Sequence, residues 1–178
     1  LKSGKAIRFE EVKTRPMGRN ASGVRGITLA HDNDEVIGMV AVHNFEEEIL
    51  VVSENGYGKR SSIEDYRITN RGGKGVKTIS ITDKTGGLVA IKNVSDSDDL
   101  MIINKSGIAI RMSVEDLRVM GRATQGVRLI NIKGNDSIAA VAKVMKDEDE
   151  IDDITDLEVD AKEEDGTALD NDNAETKE

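Results

Sequence analysis

The chain repeats itself. RPMGRNASGVRGI from Arg15, RITNRGGKGVKTI from Arg67 and RVMGRATQGVRLI from Arg118 all read R-x-x-x-R-x-x-x-G-V-K/R-x-I. The offsets are 52 and then 51 residues, and the register extends beyond the motif: Gly4, Gly56 and Gly107 align, as do Arg8, Arg60 and Arg111. Self-similarity at this period restricts the fold to a solenoid, a propeller or an array, in which each unit covers the apolar face of the next. Four columns are basic in all three repeats. With 25 Lys+Arg in 178 residues, chance makes a column basic three times over roughly once in three or four hundred. Positive charge is therefore part of what the repeats do.

One repeat contains four short β-runs. ILVVSENGYGKRS (residues 49–61) is a run, an Asn-Gly turn and a second run, a strong hairpin signal. MIINKSGIAIRMS (residues 101–113) repeats it with Ser-Gly, and LKSGKAIRF at the start is the same hairpin with a shortened first arm. A polar stretch carrying the arginines leads to a third run, in which Ile27/Leu29, Ile79/Ile81 and Ile130/Ile132 alternate with Thr28, Ser80 and Asn131. That period of two marks a half-buried strand. The fourth runs cover residues 36–42, 88–94 and 138–144. Four strands per fifty residues predict a propeller blade. β-branched residues dominate the runs and glycine punctuates them, so helix is limited to one turn near residues 113–117 and their counterparts.

Charge divides the chain in two. Residues 1–145 hold 22 Lys+Arg against 18 Asp+Glu, whereas residues 146–178 hold 3 against 16, for a net −9 overall. The tail has no aromatic residue and no sustained apolar period, so a disordered acidic tail after a mildly basic body is expected. No cysteine is present, which excludes disulfides and thiolate metal sites and suits a reducing cytoplasm. No apolar run approaches eighteen residues, so a soluble protein is expected. The chain starts at Leu1 within a repeat, like a piece of a longer protein.

Isolated features have ordinary explanations. Gly23, Gly75 and Gly126 suit backbone positions of positive φ better than phosphate contact. Residues 70–75, NRGGKG, lack the Ser/Thr and the strand-to-helix context of a nucleotide loop. His31 and His43 lie in or beside polar turns without partners at ligand spacing. Tyr57 and Tyr66 are expected to pack, and no activated nucleophile is evident. Residues 46–48 and 96–99 lack the spacing of a calcium loop.

The basic columns are different, because successive blades turn them into a stripe, the electrostatic footprint of nucleic-acid backbone binding. With two Phe, two Tyr and no Trp, stacking platforms for single strands are missing. Duplex recognised by backbone and bendability fits better. GVRGI after an Arg-rich stretch, NGYGKR at a hairpin and GRATQGV in the last repeat resemble the C-terminal domain of DNA gyrase A, over residues 1–145.

The resemblance implies an all-β pinwheel, a propeller-like disc, with blades of four antiparallel strands, about three of them here, and residues 146–178 as its tail. It implies a basic rim that wraps double-stranded DNA, so that a type IIA topoisomerase introduces negative supercoils with ATP. The matching rim positions are Arg15, Arg19 and Arg25, then Arg67, Arg71, Lys74 and Lys77, then Arg118, Arg122 and Arg128. The hairpin residues Lys5, Arg8, Lys59, Arg60 and Arg111 form a second group. The implied partners are the rest of gyrase A and the ATPase, gyrase B, in a heterotetramer of the bacterial cytoplasm and nucleoid. No cofactor is implied within this chain, since ATP and Mg2+ would be used elsewhere in the whole enzyme. The family's QRRGGxG box is present only as Arg71-Gly72-Gly73-Lys74-Gly75, and no catalytic tyrosine is expected here. The equivalent domain of topoisomerase IV and a protein-binding propeller remain as alternatives.

Overall fold

Glycine turns the chain at equivalent places in all three repeats. In the computed structural model, which describes residues 1–134 and 136–146, Gly4, Gly56 and Gly107 take φ of 78°, 77° and 87°. Each donates its N–H to the carbonyl three residues earlier, on Leu1, Ser53 and Asn104, at 3.0, 3.0 and 3.1 Å. Positive φ is costly for any residue with a Cβ, so the hairpins turn where the sequence places glycine.

The described residues form nine strands: β1 (Lys5–Ala6), β2 (Glu48–Ser53), β3 (Tyr57–Ser62), β4 (Val76–Lys77), β5 (Leu88–Val94), β6 (Asp98–Asn104), β7 (Ala109–Ser113), β8 (Val127–Arg128) and β9 (Ile138–Met145). They make three antiparallel sheets within the unit Leu1–Met145, in the orders β1-β4, β5-β2-β3-β8 and β7-β6-β9. Short 3₁₀ turns follow the first two hairpins, at Glu11–Lys13 and Ile63–Asp65. At the third equivalent position Leu117 N–H closes a turn on Val114 O at 2.9 Å.

The four-stranded blade is present, but one repeat does not build it alone. β2, β3 and β5 come from the second repeat, while β8 is the third run of the next repeat, pairing Tyr57 with Arg128 and Gly58 with Val127. β1 and β4 do the same one repeat earlier, pairing Lys5 with Lys77 and Ala6 with Val76. The third run thus crosses to the preceding hairpin, and successive repeats are locked by strand exchange. The fourth runs stay at home: β5 pairs with β2 and β9 with β6. Residues 36–42 are not a strand, because the first hairpin's opening arm is too short to template one.

The core follows from this interlock. β2 is buried on both faces. Ile49 and Val51 join Ile63, Tyr66, Ile79 and Leu88 on one side, while Leu50 and Val52 join Val94, Leu100, Ile102 and Val114 on the other. A strand between two cores needs apolar residues at every position, which explains the unbroken ILVV run. Each such buried side chain contributes about 1.5–3 kcal/mol.

Candidate nucleic-acid interface

The four basic columns separate into two that build the joints between repeats and two that face solvent. In the first structural column, Arg8 Nη1 donates to Ile63 O (2.9 Å) and Tyr66 O (3.1 Å) of the following repeat. Its equivalent Arg60 donates Nε to Leu117 O and pairs with Asp96 and, at 3.0 Å, with Glu48. In the second, Arg71 donates Nε to Lys13 O and Nη1 to Arg25 O, both at 3.1 Å. Arg122 makes the same two bonds one repeat on, to Asp65 O at 3.1 Å and to Lys77 O. Hairpin arginines reach forward and loop arginines reach back, so each joint is tied from both sides.

In the first and third repeats of this chain the columns behave differently. Arg19 is exposed, and Arg111 pairs across its own hairpin with Asp99 at 2.7 Å.

The remaining two columns, Arg15/Arg67/Arg118 and Arg25/Lys77/Arg128, are exposed in every repeat. Arg128 also lies over the Tyr57 ring, with Nη2 2.9 Å from its hydroxyl. Lys84 lies over that ring as well. The Arg128 hydrogen bond draws the Tyr57 hydroxyl below its ordinary pKa. Lys74 is exposed, and with Arg67 it lines a cleft of 210 Å³ between the first hairpin and the second loop, bounded by Arg8, Asn70 and Gly73. At the next joint the equivalent of Lys74 is Gln125.

Three of the hairpin candidates lie within the fold rather than on its surface. Lys59 is 1% exposed, and its ammonium donates to Ser61 Oγ (3.1 Å), Gly121 O and Arg122 O (both 2.6 Å). Burial pushes it down to about 8. With all three donors committed, it anchors the third loop from beneath and is not a rim charge. Arg60, 8% exposed, and Arg8 are likewise internal ties. Lys5 is half-buried within β1.

Both tyrosines are buried, as packing required, with the Tyr66 hydroxyl 2.5 Å from Thr78 Oγ1. Gly23, Gly75 and Gly126 have φ of 80°, 71° and 83°. A Cβ on Gly75 would lie 2.6 Å from Ala6 O, and one on Gly126 2.5 Å from Gly58 O. Their reason is thus a left-handed backbone and, at these two, close approach to the preceding hairpin. Sequence reasoning missed that second reason, and it missed the aliphatic column Pro16/Ile68/Val119 beside the exposed arginines, which was visible in the repeat alignment. Among the described residues no group of three or more His, Asp or Glu could hold a metal ion. No helix among them is long and apolar enough to cross a membrane.

These features define a β-propeller-type repeat module with a periodically cationic surface. The profile of the family described as DNA gyrase C-terminal domain, beta-propeller, matches residues 2–43, 47–95 and 98–145, one segment per repeat, and the chain belongs to that family. It is 51% identical over 145 residues to the DNA gyrase A protein of Staphylococcus aureus strain MRSA252, and 51% identical over 146 residues to that of strain NCTC 8325 / PS 47. Each match covers 81% of this chain, which spans 16% of the length of those relatives. A solved DNA gyrase A C-terminal domain superposes with a TM-score of 0.74 at 28% identity, covering 81% of this chain and 48% of that one. A topoisomerase IV C-terminal domain superposes with a TM-score of 0.76 at 21% identity, covering 89% and 49%, a likeness of fold alone.

Proposed function

We propose that residues 1–145 bind and wrap duplex DNA as a non-catalytic module of a gyrase A protein, supporting ATP-dependent negative supercoiling by the whole type IIA topoisomerase. The observation that carries this is the recurrence of Arg15/Arg67/Arg118 and Arg25/Lys77/Arg128 on the surface of every repeat. A regular polyanion matches a regular row of cations, and such contacts carry affinity without sequence. The 51% identity to gyrase A supports gyrase over topoisomerase IV. On this reading the module needs no cofactor; ATP and Mg2+ serve other parts of a cytoplasmic, nucleoid-associated assembly with the rest of gyrase A and with gyrase B. Residues 146–178 form its acidic tail.

Titration of this chain with duplex DNA over a range of salt tests the reading. Log affinity should fall linearly with log salt, and Lys74→Gln with Lys77→Gln should reduce the slope by roughly two units whatever the DNA sequence. Binding that ignores salt, or a slope that survives both substitutions, would remove the proposed contact.

A further inference from the structure

Ile68 and Val119 occupy equivalent places directly after the exposed Arg67 and Arg118, and they are 51% and 49% exposed. In the first repeat the exposed Pro16 follows Arg15 in the same way. Single exposed aliphatic residues need no explanation, but these recur. Other exposed apolar residues do not: Val12 aligns with Glu64 and Glu115, and Ile108 with the buried Tyr57.

The backbone holds each Arg–aliphatic pair from both sides through a single arginine of the preceding repeat. Arg8 binds Tyr66 O with its side chain and accepts Thr69 N–H on its own carbonyl at 2.9 Å. Arg60 binds Leu117 O and accepts Met120 N–H at 2.8 Å. Arg8 bridges Ile68 and Arg60 bridges Val119 in parallel register. A β-branched side chain on a clamped backbone has little freedom left to lose on binding.

We infer that Arg67–Ile68 and Arg118–Val119 each act as a two-part DNA contact, with the guanidinium on a phosphate and the aliphatic side chain on the adjoining deoxyribose. This rests on the DNA-binding reading above and adds a contact that charge alone does not supply. Duplex DNA places an apolar sugar edge beside every phosphate, and each clamped dipeptide exposes a cation and an aliphatic group in succession. A protein partner offers no such repeat. The aliphatic half contributes affinity that salt does not screen and helps set how far the duplex seats on the module.

The test compares two double variants of the full chain on one random-sequence duplex. Ile68→Ser with Val119→Ser should weaken binding about five- to tenfold at every salt concentration, as expected for two part-buried aliphatic groups, and leave the salt slope unchanged. Arg67→Gln with Arg118→Gln should instead lower the slope by roughly two units. Val119→Thr, which keeps the branched shape and replaces one methyl by a hydroxyl, should show part of the Ser loss and so separates chemistry from folding. Unchanged affinity in the Ser and Thr variants, or a slope change in them equal to that of the Gln pair, overturns the inference while leaving the wrapping reading intact. Failure of the wild type to bind DNA overturns both.

Discussion

A guanidinium carries five N–H donors in a fixed fork, which lets arginine tie backbone carbonyls as readily as phosphates. Arg71 and Arg122 spend donors on two carbonyls of the preceding repeat, and their first role is to hold the joint. Arg122→Gln should therefore lower stability by about 1 kcal/mol, the net worth of hydrogen bonds whose exposed acceptors water can take over, and change the DNA salt slope little. Lys77→Gln should do the reverse. Urea unfolding and DNA titration on the same samples read both.

Lys59 gives a pH prediction. The folded protein holds its ammonium at about 8 and the unfolded chain near 10.5. Between those values the unfolded state binds more protons, so stability from this site rises with pH. Relative to Lys59→Met, the wild type should gain about 3 kcal/mol between pH 8 and 10.5. A difference in unfolding free energy that stays flat across this window would mean that the ammonium is as well solvated folded as unfolded.

At the element scale, strand exchange depends on two backbones meeting where no side chain fits. Gly56 O accepts Leu129 N–H at 2.8 Å, as Gly4 O accepts Thr78 N–H at 2.8 Å, and Gly126 lies against Gly58 O from the other side. Gly126→Ala meets both a left-handed φ and the 2.5 Å approach to that carbonyl. Gly107→Ala and Gly23→Ala meet only the φ, since nothing lies within 4 Å of their added Cβ. The first should cost about 3 kcal/mol or more and the other two about 1–2 kcal/mol each. Chemical denaturation of the three variants should reproduce that ranking, and equal losses would show that close approach adds nothing to conformational strain.

For the whole molecule the controlling fact is the separation of charge. Sixteen carboxylates against three amines follow a body holding 22 Lys+Arg against 18 Asp+Glu. Residues 147–178, and with them the expected disordered tail, lie outside the described residues, yet their charge alone makes a prediction. If the exposed arginines and lysines bind DNA as proposed, a tethered polyanion at roughly millimolar effective concentration is expected to compete for them. Removing residues 147–178 should tighten DNA binding most at low salt. The two proteins should converge above about 0.15 M, where the Debye length is near 8 Å. Equal affinity at every salt would reduce the tail to a solubility aid, and weaker binding would reverse the sign of the competition.

The repeat, the hairpins at Gly4, Gly56 and Gly107 and the family were legible in the chain itself. Each is written locally: a turn glycine, a period of two, a column of like residues. Only the tertiary structure decided that Val76–Lys77 and Val127–Arg128 pair with the preceding repeat, because alternation looks the same whichever neighbour accepts the hydrogen bonds. It also decided that Arg71 and Arg122 bind carbonyls while Arg67 and Arg118 face water. Charge is a property of the residue, but exposure depends on which backbone groups the fold brings within reach of its donors.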